Sequence, residues 1–133
     1  MGQINYLAVV LAAAAFFAVG MVWYGVLFGK AWERAAGLGK DQLKGGASMA
    51  LIYGGAFLCE LAVAWILGHM FARIAPSPRA MMMIAGGFGL AVMTPAIGIN
   101  YLFQRKPLQL FLIDAGHFII GTAVMGVVFV ALA

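Results

Sequence analysis

The stretch INYLAVVLAAAAFFAVGMVWYGVLF, from Ile4 to Phe28, contains no charged side chain. About 20 apolar residues in a helix are enough to cross the hydrocarbon core of a bilayer, which is roughly 30 Å thick. A cleaved signal peptide fits poorly, because no lysine or arginine precedes the run and the run is too long for the apolar part of a signal. We therefore expect a retained transmembrane helix at about residues 4–28.

Three further stretches have a similar length and apolar character, at about residues 47–72, 80–103 and 108–132. Strands of a membrane barrel would instead be segments of about ten residues with alternating polarity. The connections between the four runs are short, which favours antiparallel packing of helices that follow one another in the chain. The sequence predicts an all-α integral membrane protein, a single domain over residues 1–133 built as an antiparallel bundle of four transmembrane helices.

The composition supports this class and excludes others. Of 133 residues, 65% are hydrophobic and 9% are charged, whereas soluble domains have roughly 45–50% apolar and about 25% charged residues. Twelve charged side chains cannot cover so much apolar surface in water. One cysteine, Cys59, excludes a disulfide scaffold, and the scarcity of charge excludes a disordered chain and a basic nucleic-acid-binding face. The expected surroundings are a lipid bilayer, with no nucleic acid as partner.

Basic residues predict the orientation. The first and third connections carry Lys30, Arg34, Lys40, Lys44, Arg105 and Lys106. The second connection carries only Arg73 and Arg79, and both tails lack basic side chains. Lysine and arginine concentrate in cytoplasmic connections. We therefore expect the first and third connections in the cytoplasm, both termini outside, and a location in a bacterial inner membrane.

The first connection has two interpretations. Lys30, Trp32, Arg34 and Lys40 would suit a short helix at the membrane surface that contacts lipid headgroups. Each cation near anionic lipid contributes about 1 kcal/mol there. In the alternative interpretation, these charges only establish the topology.

Ionisable residues inside the expected spans are the candidate functional groups, because burying them in a bilayer is costly and such groups often mark function. Asp114 and His117 are three positions apart and share a helix face, and Glu60 lies within the second span. Asn100 and Tyr24 are expected at a similar depth to Asp114. The sequence predicts a polar pocket lined by Asp114, His117, Glu60, Asn100 and Tyr24.

Several functions remain open for this pocket. A carboxylate and an imidazole can exchange a proton, as transporters require, or bind a metal with Glu60. Alternatively, the polar groups only hydrogen-bond across helices and hold the bundle together. Haem ligation by His69 and His117 fits poorly, because the two lie at different depths. A copper site from His69, Met70 and Met81–Met83 has suitable ligand types but no known spacing.

Five segments resemble one family: Asn5-Tyr6-Leu7-Ala8-Val9, Trp23-Tyr24, Phe28-Gly29-Lys30-Ala31-Trp32, Arg105-Lys106-Pro107-Leu108 and Leu112-Ile113-Asp114-Ala115-Gly116. They are similar to the small bacterial four-helix membrane proteins grouped as domain of unknown function 1761. Family members usually have Ser-Pro where this chain has Gly25-Val26, and commonly Asn where it has Asp114. The resemblance implies a four-helix membrane protein without an established activity.

The functional expectations are accordingly limited. No nucleophile with a positioned base is evident, so we expect neither an enzyme nor a bound cofactor. We expect either a small protein that moves or senses a proton or small solute, or a structural or assembly subunit of a membrane complex. The frequent glycines favour close helix packing, which suits a homo-oligomer or a complex subunit.

Overall fold

The computed structural model describes residues 2–38 and 46–133, and within these ranges the chain forms helices without strands. Its five helices are α1 (Tyr6–Leu27), α2 (Gly29–Ala36), α3 (Met49–Ile74), α4 (Pro78–Phe103) and α5 (Leu108–Ala131). All except α2 are long and apolar enough to cross a membrane. The prediction of an all-α fold with four such helices is confirmed. Lys40, a predicted interface residue, lies outside the described residues.

Side-chain caps determine where three of the long helices begin. Asn5 accepts a hydrogen bond from the backbone of Ala8 at the start of α1, and Ser48 and Ser77 do the same for α3 and α4. Such caps satisfy amide groups that have no partner inside the helix. Consequently α3 begins at Met49 and α4 at Pro78, each about two residues from the start expected from hydropathy alone.

The helices pack in an order that differs from their order in the chain. Extensive contacts join α3 to α1, α1 to α5, and α5 to α4. Among the described residues, α3 and α4 are not an extensively packed pair, although only a short turn joins them. The expectation that each helix packs mainly against its neighbour in the chain is therefore wrong for this pair. Helices α1 and α5 form the centre of the molecule.

Glycines explain why α1 and α5 pack together. A Cβ atom at Gly121 would lie 2.7 Å from the ring of Phe16, and one at Gly116 would lie 2.7 Å from the ring of Trp23. Real side chains do not approach so closely, so only glycine admits these aromatic rings against the α5 backbone. Small residues at helix contacts have this effect in membrane proteins.

The apolar core lies at one end of the molecule, where all four long helices meet. Its fully buried side chains include Phe16 of α1, Leu67 of α3 and Met125 of α5. In the first half of α3, Tyr53 and Phe57 pack edge-on against Phe17 of α1, whereas Leu51 and Leu58 are each 65% exposed. At the other end of the molecule, polar side chains of α1, α4 and α5 meet.

Two long helices contain a π-helical segment, Trp23–Leu27 in α1 and Phe88–Met93 in α4. The second ends just before Thr94 and Pro95, and proline cannot donate the amide hydrogen bond of a regular helix. The Thr94 hydroxyl donates to the carbonyl of Gly89 at 2.6 Å. Pro95 after Thr94 predicts a kink in this helix, with the Thr94 hydroxyl able to satisfy a freed carbonyl. The structure shows a π-helical segment before the proline, and the Gly89 carbonyl that accepts from the hydroxyl also accepts from the backbone amide of Thr94.

Candidate polar site

Asp114 is the centre of the polar site. Its carboxylate is only 7% exposed. The hydroxyl of Tyr24 on α1 donates to Oδ1 at 2.5 Å, and the hydroxyl of Tyr101 on α4 donates to Oδ2 at 2.5 Å. Hydrogen bonds to an ionised acceptor are shorter and stronger than neutral ones. Asp114, Tyr24 and Tyr101, which we call the carboxylate clasp, join the three helices at this end.

The π-helical segment of α1 orients two adjacent aromatic residues toward α5. Trp23 donates from Nε1 to the backbone carbonyl of Ile113 at 2.9 Å, while Tyr24 reaches Asp114. The segment ends at Phe28, whose amide donates to the carbonyl of Trp23 at 2.7 Å. A Cβ atom at Gly29 would overlap the carbonyl of Tyr24. Glycine at this position therefore lets the chain turn directly from α1 into α2.

His117 lies one helical turn beyond Asp114 and is surrounded by aromatic rings. Its ring centroid is 5.0 Å from that of Phe16, 5.0 Å from that of Tyr24 and 5.2 Å from that of Phe118. A Cβ atom at Gly20 would be 3.0 Å from Nε2. The side chain is 8% exposed, and neither ring nitrogen has a hydrogen-bond partner within residues 2–38 and 46–133.

A buried polar atom without a partner costs about 1–3 kcal/mol. His117 therefore adds little to stability through hydrogen bonding. Such groups need an explanation, and the recognised ones include a catalytic or redox role and a bound water or ion.

Helix α2 covers the polar site from the end of the molecule. The ring of Trp32 packs edge-on against that of Tyr24, with centroids 6.0 Å apart. Lys30 and Arg34 are exposed on the same helix. Of the predicted interface residues, Trp32 therefore packs on the clasp, whereas Lys30 and Arg34 face outward.

The structure brings together three of the five predicted pocket residues, namely Asp114, His117 and Tyr24. Asn100 is exposed, and its neighbour Tyr101 occupies the position facing Asp114. Glu60 is half-buried on α3. Its Oε2 atom is enclosed and has no hydrogen-bond partner in the described part of the chain.

Tyr101 was not predicted as a pocket residue, although its sequence position was adjacent to one that was. A regular helix turns by about 100° per residue, and a π-helical turn contains more residues than an α-helical one. Asn100 was expected from its depth in the membrane, which does not determine the helix face, and the π-helical segment Phe88–Met93 changes how the residues after it are placed around the helix. Pro95 is the signal in the sequence, because a proline within a helix indicates a distortion. It does not indicate how many residues the distortion includes.

The metal interpretations receive no geometric support from the described residues. No group of three or more histidine, cysteine, aspartate or glutamate side chains assembles there. His69 packs against Trp65, with ring centroids 4.2 Å apart. Met82 lies inside the helix contact of α4 with α5, where a Cβ atom at Gly126 would approach its Sδ to 3.1 Å.

Comparison with known proteins identifies one family. A family model described as "Protein of unknown function (DUF1761)" matches residues 7–130. The match confirms the family recognised from the sequence segments. No curated protein and no solved structure matches the chain.

Proposed function

The chain belongs to the DUF1761 family, whose function is unknown, and from its site we propose that it is a proton-linked membrane protein. Asp114 and His117 take up and release a proton within the membrane, with movement or sensing of a proton or small solute as the outcome. The observation that carries the proposal is a buried carboxylate bonded by two phenols, one turn from a buried imidazole without hydrogen-bond partners among the described residues.

Protonation of Asp114 would change how the helices are joined. An ionised carboxylate only accepts hydrogen bonds, so it can accept from Tyr24 and Tyr101 together. A protonated carboxyl has one hydroxyl donor. If that hydroxyl points to either tyrosine, the tyrosine must accept instead of donate and direct its own proton elsewhere. Proton uptake is thereby coupled to the contact of α5 with α1 or with α4.

His117 supplies a second proton-accepting group in this proposal. A neutral imidazole carries one donor and one acceptor nitrogen, and a protonated imidazole carries two donors. Its ring packs against Tyr24, which is itself bonded to Asp114. A rearrangement of Tyr24 therefore affects both ionisable groups.

The proposed setting is an inner membrane crossed by α1, α3, α4 and α5, with both termini outside. The positively charged residues Lys30, Arg34, Arg105 and Lys106 support this orientation, since they flank the same end of the molecule as the clasp. In this setting Asp114 lies six residues into α5, or about 9 Å from its start. We also propose self-association or membership of a larger membrane complex, for which the exposed first half of α3 is available.

Infrared difference spectroscopy of the reconstituted protein tests proton uptake directly. We expect a carboxyl stretching band whose intensity changes with pH and which disappears in Asp114→Asn. Glu33→Gln is the matched control, because it makes the same chemical change on α2, outside the clasp. A trapped pH-sensitive dye in the same vesicles measures whether protons also cross the membrane.

Two results would contradict the proposal. One is that the wild type and Asp114→Asn give the same pH-dependent carboxyl bands, since Glu33, Asp41 and Glu60 remain in the variant; the other is that Glu33→Gln removes the band assigned to Asp114.

The second candidate function is that of a structural or assembly subunit. Both oxygens of Asp114 already have partners. Hydrogen bonds between helices hold a membrane bundle together, and this structural role alone is enough to explain the arrangement. In that case Asp114→Asn and His117→Ala change thermal stability in detergent but no pH-dependent signal. The infrared experiment thus separates the two candidates.

A further inference from the structure

A cavity of about 240 Å³ lies on the side of the molecule where α4 ends and α5 begins. It adjoins the carboxylate clasp, because Tyr101 both lines the cavity and donates to Asp114. The lining residues are Gly98, Tyr101, Leu102, Lys106, Leu108 and Phe111. Lys106 is the only charged residue among them.

The walls of the cavity are apolar and open outward. Leu102 is 80% exposed and Leu108 is 69% exposed, so both present hydrocarbon surface to the surroundings. Phe111 forms another wall and packs against Gly98, where a Cβ atom would come within 3.1 Å of Cε2 of the ring. An acyl chain matches such walls, whereas a small soluble anion does not.

A defined turn positions the cation beside these walls. The backbone amide of Lys106 donates to the carbonyl of Tyr101 at 3.0 Å, and that of Arg105 donates to the carbonyl of Leu102 at 3.2 Å. Arg105 has φ of 57°, the left-handed conformation that completes this type of helix end. The turn therefore places two consecutive basic residues, Arg105 and Lys106, one residue beyond the end of α4.

We propose that this cavity binds one anionic phospholipid, with the headgroup phosphate at Lys106 and an acyl chain against Leu102, Leu108 and Phe111. The charge and the apolar walls are complementary to the two parts of such a lipid. Basic pockets between transmembrane helices on the cytoplasmic side bind acidic headgroups in this way. The proposal does not depend on proton uptake by Asp114.

Native mass spectrometry of the purified full chain in detergent, titrated with phosphatidylglycerol or phosphatidylcholine, tests the proposal. We expect one retained phosphatidylglycerol molecule and weaker binding of phosphatidylcholine. Lys106→Gln should weaken phosphatidylglycerol binding about fivefold, which corresponds to the ~1 kcal/mol of one cation near an acidic lipid. Arg79→Gln is the control, because Arg79 is an exposed cation at the start of α4, at the opposite end of that helix from the cavity.

A second variant tests the acyl-chain part. Leu102→Trp adds bulk to a wall residue that is already exposed, and we expect it to weaken binding while Arg79→Gln does not. Equal binding of the two lipids, or equal weakening by Lys106→Gln and Arg79→Gln, would overturn the proposal. The proposal would also be overturned if inorganic phosphate displaced phosphatidylglycerol and Leu102→Trp left the binding unchanged. The ligand would then be a free anion.

Discussion

At the residue scale, the carboxylate of Asp114 is held by the hydroxyls of Tyr24 and Tyr101. Each bonds a different carboxylate oxygen, and each comes from a different helix. A hydrogen bond to a charged group contributes roughly 1.5–3 kcal/mol to stability, and more is lost when a buried partner is left without one. Removing either hydroxyl therefore weakens the link between α5 and α1 or α4.

Replacing Tyr24 or Tyr101 by phenylalanine should lower the free energy of unfolding by about 1–3 kcal/mol, because each change leaves one carboxylate oxygen without its donor. Unfolding in mixed detergent, followed by circular dichroism, measures the effect. Tyr53→Phe is the control, since Tyr53 is an exposed tyrosine on α3 outside the clasp. Equal losses in all three variants would refute the assigned hydrogen bonds.

The sequence identified the ionisable residues of the site more readily than their partners. Asp114 and His117 were predictable because an ionisable group in an apolar helix is conspicuous, and their spacing defines a common face. Tyr101 could not be assigned to the site in this way, because a tyrosine near the end of a transmembrane helix is also common as an interface residue. Asn100 was expected from its depth alone, which does not determine which face of the helix it lies on, and the structure exposes it.

At the scale of helices, glycine determines which pairs approach closely. Gly116 and Gly121 admit Trp23 and Phe16 against α5, whereas the adjacent pair Gly54 and Gly55 on α3 has open space around it. The number of glycines in a helix could not show which glycines lie in close helix contacts and which lie in open space. The difference depends on which helix faces which, and this emerges only from the packed structure.

Gly121→Ala should destabilise the protein by about 1–3 kcal/mol, because the added methyl group must displace Phe16 in a packed contact. Thermal unfolding in detergent measures this loss. Gly54→Ala makes the same chemical change where nothing lies within 4 Å, and it should leave stability unchanged or slightly raised. If Gly121→Ala were equally harmless, the close contact of α1 with α5 would be refuted.

At the scale of the whole molecule, the sequence predicted the number and type of long helices but not their arrangement. Hydropathy reports the length of each apolar run, and α1, α3, α4 and α5 were predictable for this reason. Hydropathy contains no information about which helices pack side by side. Helices α3 and α4 are separated because α1 and α5 pair through their glycines and occupy the centre.

The proposed orientation predicts which ends of the chain a membrane-impermeant thiol reagent can reach. In a Cys59→Ser background, Gln3→Cys should react in intact spheroplasts, since both termini are proposed to lie outside. Gln104→Cys, in the turn between α4 and α5, should react only after the membrane is permeabilised. The opposite labelling pattern would reverse the orientation and place the lipid cavity in the outer leaflet.

The apolar core and the carboxylate clasp lie toward opposite ends of the molecule, and this separation has a consequence for local unfolding. Proteins open in cooperative units whose free energies depend on how much apolar surface each unit buries. The end that contains Phe16, Leu67 and Met125 should open only with the whole protein. The clasp end, where residues 49–58 of α3 are largely exposed, should exchange its amide hydrogens through smaller openings, so this end can rearrange while the rest of the protein stays folded.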